Sequence, residues 1–148
     1  MYNSVTTPRK FYSPPSVTLE KDYDLVYIGT GDRELACVND TAADRIYSTK
    51  DSHAYLTFSE SELVDVTNPA TTPPDLDTPG DVDGIGGIDQ GWYIRLVDST
   101  GAEIGEKSLA KGTVFYKVLY ITTFSPSTDP CLPGGASTVY AQIGRAHV

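Results

Sequence analysis

The feature that most restricts this chain is the shortness of its apolar stretches. They run about five or six residues, the length of a strand, and end in turn-formers. Tyr23-Asp24-Leu25-Val26-Tyr27-Ile28 reads as a strand that stops at Gly29-Thr30-Gly31-Asp32, where glycine permits a tight turn. Residues 45–51 alternate apolar and polar side chains as a half-buried strand should, and a short run follows at 54–58. The pattern predicts a hairpin from 91–97 and 104–109 across the turn Asp98-Ser99-Thr100-Gly101. It predicts the longest strand over 113–124, with Pro126, Pro130 and Pro133-Gly134-Gly135 closing it, and another strand over 137–141. Ser59 with the Ser-Glu-Ser-Glu-Leu-Val stretch predicts one helical turn capped by a serine hydroxyl. No helix of ordinary length fits elsewhere, so the fold class is all-β.

Ten tyrosines, four phenylalanines and many Val, Thr and Ile residues suit pleated, half-buried surfaces. At 148 residues and 39% hydrophobic content the chain can bury a modest core. Twenty acidic against eleven basic side chains give a net charge of −9, which repels phosphate backbones, so nucleic acid is excluded as a partner. No apolar run reaches the ~18 residues of a membrane span, and the first residues lack the apolar core of a secretory signal. An export signal is expected upstream.

The charge imbalance is local. Between Asp51 and Ile94 there is no Lys or Arg, and nine carboxylates lie there. Residues 68–90 are rich in Asp, Gly, Pro and Thr and poor in apolar side chains, which predicts a long surface loop. Asp75, Asp77, Asp81, Asp83 and Asp89 are the dense set of hard oxygen donors in the sequence, the type of ligand calcium takes. Pro79-Gly80 splits two Asp-x-Asp pairs and no closing Glu follows, unlike an EF-hand loop, so a hydrated acidic loop is the first reading and a calcium site the second.

Other candidate residues read as structural. Asp32-Arg33-Glu34 follows a strand directly, and Arg33 offers a planar fork to a carboxylate in an ion-pair knot between packed units. Trp92, the one tryptophan, sits inside an apolar strand and reads as core, with stacking on a sugar as the alternative for Trp92 or Tyr93. His53 stands between Ser52 and Ala54 at an expected hairpin tip, without the nucleophile and orienter that hydrolytic chemistry needs. Gly29-Thr30-Gly31 is too short for a dinucleotide fingerprint. No catalytic residue is assigned. Cys37 and Cys131 lie in no metal-binding spacing and permit a disulfide, free thiols or pairing outside the chain.

Four stretches in order resemble the C-terminal propeller of the PilY/PilC family of type IV pilus-associated proteins. They are Arg9-Lys10-Phe11-Tyr12 with Pro14; residues 22–34; Gly91-Trp92-Tyr93-Ile94-Arg95-Leu96 with Gly105-Glu106-Lys107; and Phe124-Ser125-Pro126 through Asp129-Pro130-Cys131-Leu132-Pro133-Gly134-Gly135. The resemblance implies a secreted, cell-surface, non-enzymatic module that supports pilus assembly, opposes retraction and takes part in adhesion. It implies as partners the remaining blades of a parent propeller, minor pilin components of the pilus and a surface or host receptor. It also implies a calcium site in a propeller loop, whose pattern the acidic run here does not follow.

Strands of this length joined by short turns fit one to two four-stranded antiparallel blades of a partial β-propeller. Such a piece leaves sheet edges and a blade face open. Residues 1–142 are the expected propeller fragment. Residues 143–148, Ile-Gly-Arg-Ala-His-Val, read as the translation of a common short-read sequencing adapter (ATC GGA AGA GCA CAC GTC), so the natural sequence is expected to stop near Gln142. The competing functions are a quinoprotein-type propeller enzyme, which shares only the blade pattern, and a lectin-like propeller.

Overall fold

The computed structural model describes residues 8–21, 23–38, 42–53, 57, 59–71, 73, 90–127 and 134–143. They form nine strands in two sheets and a single 3-10 turn. The first sheet holds β1 (Ser16–Leu19), β2 (Asp24–Gly29), β3 (Arg45–Asp51), β4 (Val64–Asp65) and β5 (Gly91–Arg95), in the order β1-β2-β3-β5-β4. Its pairs are antiparallel except β4 with β5, which is parallel. The second sheet is built on β8 (Val118–Pro126). Two short strands, β6 (Lys107–Ser108) and β7 (Thr113–Phe115), share one side of it, and β9 (Gly135–Ile143) pairs along the other.

Period-two alternation decides which face is dry. Leu25, Tyr27, Ile46, Trp92 and Ile94 point to one side of the first sheet and meet Leu119 and Ile121 of β8 in a single buried cluster. Trp92 is fully buried at its centre. Burial of each large side chain stabilises the fold by about 1.5–3 kcal/mol. The sheets approach so closely that a Cβ on Gly29 would lie 2.2 Å from Ser108 Oγ. Gly91 is likewise required, at φ +140° with Ser48 O where a Cβ would sit.

Thr30 joins the two sheets, held in place by Asp44. Thr30 Oγ1 donates to Asp44 Oδ1 (2.7 Å) and accepts the Arg45 N–H (2.8 Å), while the Ser108 N–H donates to Thr30 O (2.9 Å). All three side chains are buried, so each polar group is satisfied where water is excluded.

The all-β class is what the structure shows. No sheet closes on itself among the described residues, and the first sheet departs from a four-stranded antiparallel blade by its fifth, parallel strand. Three local expectations are corrected. The strand expected over 113–124 is a hairpin: Tyr116 (φ 49°) and Lys117 (φ 63°) turn the chain between β7 and β8. Two left-handed residues make the tight turn whose twist suits a hairpin, and without Gly or Asn there the sequence gives no sign of it. The hairpin expected across 98–101 reduces to one bridge, Val97 with Glu103. Lys107 and Ser108 then cross to β8, because the backbone of Thr30 and the space over Gly31 receive them.

The helical turn does form, as the 3-10 segment Glu60–Glu62 after Ser59. Here the Glu62 carboxylate is the acceptor, taking the Ser59 N–H (2.6 Å) and the Ser59 hydroxyl (2.9 Å). Residues 54–56 and 58 of the expected run, and most of the acidic loop, lie outside the described residues.

Candidate interaction face

The side of the first sheet turned away from the core carries a cluster that sequence reasoning missed. Alternation places Arg45 and Tyr47 of β3 opposite Arg95 and Tyr93 of β5 on that face. The 3-10 turn holds Glu60 over them. Its Oε2 accepts from Arg9 Nη2 (2.7 Å) and from the Tyr47 hydroxyl, and its Oε1 pairs with Arg45 Nη1. Arg45 lies on the Tyr93 ring, 4.5 Å from its centroid. Tyr47 packs against Tyr93 (6.2 Å) and Phe11 (6.4 Å), in tilted geometry. One carboxylate thus gathers two guanidinium groups and a phenol over an aromatic floor.

The electrostatics follow from burial. Tyr47 is held well above the ordinary tyrosine range, first by desolvation and then by its hydrogen bond to Glu60, so it remains a neutral donor. Burial pushes Asp65 up, but the Thr67 hydroxyl and N–H, with Arg95 (3.2 Å), outweigh it and hold the carboxyl below its usual range. Beside this pair opens a cleft of about 740 Å³ lined in part by Asp65, Asn68, Arg95, Val97 and Asp98.

The residues singled out from sequence fall in different places. Asp32 is buried at the end of β2 and bonds Lys10 Nζ (2.6 Å), which holds its carboxyl below the usual range; its other oxygen accepts the Glu34 N–H (3.0 Å). Arg33 and Glu34 are exposed, and Arg33 forms no ion pair among the described residues, so the knot centres on Glu60 with Arg9 and Arg45. Trp92 lies wholly in the core, where no ligand can stack on it, and Tyr93 is covered by Arg45. Asp75, Asp77, Asp81, Asp83 and Asp89 lie outside the described residues, as does Cys131; Cys37 is exposed with a free thiol. Among the described residues, no group of three His, Cys, Asp or Glu side chains is placed to hold a metal.

A second polar set was legible only as part of the stretch Gly105-Glu106-Lys107. Glu106 is buried and accepts from the Thr123 hydroxyl and from Tyr140 (3.3 Å). Burial and this carboxylate push Tyr140 up to about 12. Lys107 is fully buried and donates to Val38 O (2.7 Å) and Gly105 O (2.9 Å), tying the 32–38 turn to the second sheet.

These arrangements bind and brace. They define a class: two stacked β-sheets that share one core, with a charged aromatic face on one outer side. The chain is similar to the crystal structure of the Pseudomonas aeruginosa PilY1 C-terminal domain, with a TM-score of 0.69 and 14% sequence identity over 99% of its length. The chain spans 34% of that domain's length. No family model matches the sequence, and no curated protein matches it either.

Proposed function

We propose that the chain is a structural module of a type IV pilus-associated protein, made of two neighbouring blades of a propeller. The observation that carries this reading is the shared fold over nearly the whole chain with part of the PilY1 C-terminal domain. The order of the four sequence stretches supports it independently. The outer faces of the two sheets then serve as seats for adjoining blades, and the module acts outside the cell in pilus assembly and surface attachment, with no reaction of its own.

Removing the reading frame from the organism that carries it tests this. Loss of surface pili and of attachment is the expected result; unchanged piliation and attachment would reject the proposal. Calorimetric titration with calcium separates the two readings of the five aspartates. A hydrated loop gives no binding heat at millimolar metal, whereas a ligand set does.

A further inference from the structure

Residues 8–12 run without regular structure over the place where β2 ends and β3 begins. Arg9 reaches Glu60 and, at 3.4 Å, Ala43 O; Lys10 reaches Asp32; Phe11 lies against Tyr47. A backbone bond joins this strap to the chain beneath it, from the Gly31 N–H to Lys10 O (2.9 Å). Arg9 and Lys10 leave 31% and 45% of their side chains in water, and Phe11 leaves 59% of its surface there. Ion pairs this exposed are individually weak and are screened by salt. The strap is thus fastened by contacts for which water and ions compete.

The acceptors under the strap are positioned by other residues. Glu60 keeps its 3-10 turn, Arg45 and the Tyr47 hydroxyl when Arg9 leaves, and Asp32 keeps the Glu34 N–H when Lys10 leaves. What remains is a preformed cradle of two carboxylates, the Ala43 carbonyl and the Tyr47 ring. We propose that this cradle is a binding site for a basic–aromatic peptide segment of a partner protein, and that the chain's own Arg9-Lys10-Phe11 occupies it as a displaceable strap. A partner segment of the order Arg-Lys-aromatic sets its guanidinium on Glu60, its ammonium on Asp32 and its ring on Tyr47. The strap gates the site, because a short tether holds the same chemistry beside it at an effective concentration of about millimolar order.

Contacts within the chain carry this inference, independently of the pilus reading. The probe is a synthetic peptide with the sequence of residues 8–13, Pro-Arg-Lys-Phe-Tyr-Ser, titrated into the full chain and followed by the NMR shift of the Gly31 amide. Arg9→Gln, Lys10→Gln and Phe11→Ser together empty the cradle. The expected result is saturable binding to this variant, about tenfold tighter than to the unaltered chain, and lost again when Glu60→Ala is added. No binding to the emptied cradle, equal binding to both chains, or binding that survives Glu60→Ala would overturn the proposal. If circular dichroism shows the triple variant to be unfolded, Arg9→Gln alone decides. It should bind the peptide more tightly than the unaltered chain does, and no gain in affinity would count against the cradle just as firmly.

Discussion

The two sheets solve the same packing problem with different completeness. The first uses both faces: Ile46, Trp92 and Ile94 fill the core, while Glu60, Arg45 and Tyr47 occupy the other side. The second uses one. Leu119 and Ile121 are buried, yet Phe115, Tyr120 and Val139 leave 62%, 42% and 63% of their surface in water. A sheet is stable once one face is dry, and apolar side chains on its other face are ordinary surface, as Val17 and Leu19 are on β1 of the first sheet. The middle of the first sheet is braced on both faces by side chains of its own sequence, and the second sheet on one.

The largest expected effect probes the shared core. Trp92→Ala should cost about 3–5 kcal/mol, because it opens a cavity between the two sheets. Denaturant unfolding measures it, and a small loss would mean that the sheets do not depend on each other. Next, Glu60→Ala should cost about 1–2 kcal/mol, since it strands Arg9, Arg45 and the Tyr47 hydroxyl together, with discount for partial exposure. Tyr120→Ser on the open face of the second sheet should stay within about 0.5 kcal/mol. Equal losses from these two would erase the contrast between the faces.

Smaller effects sharpen the picture of the first sheet. The Ser48 hydroxyl and the Trp92 indole N–H are buried without hydrogen-bond partners among the described residues, on residues opposed across β3 and β5. Ser48→Ala removes an unsatisfied donor and should be neutral or stabilising by up to about 1 kcal/mol. The smallest effect is a pH dependence at the sheet's rim. His53 bonds Asp24 (3.1 Å), first by the hydrogen bond and then by charge, which raises its pKa above the ordinary value. The pair therefore stabilises the fold below the unfolded histidine pKa, and the gain disappears as pH rises through the folded one. His53→Gln should flatten that slope in a series of thermal melts.

Alternation and turn residues made most of the first sheet legible: the strand at 45–51 appears as β3, and the one at 23–28 as β2 shifted by a residue. The hairpin at Tyr116-Lys117 escaped because its left-handed residues are not the usual ones. Glu60 escaped for another reason. Its partners are 51, 15 and 13 residues away, and only the fold brings Arg9, Arg45 and Tyr47 under one carboxylate. Of Asp32-Arg33-Glu34, only Asp32 turns inward, to Lys10, and the side chain that does so just past a strand end is not marked in the sequence.

Hydrogen exchange, read strand by strand, is the most direct test of this asymmetry. The expected result is slow exchange for the paired amides of β2, β3 and β5, at the limit set by global unfolding, and much faster exchange throughout β9. Protection of β9 equal to that of β3 would contradict it, because the two sheets would then be equally braced.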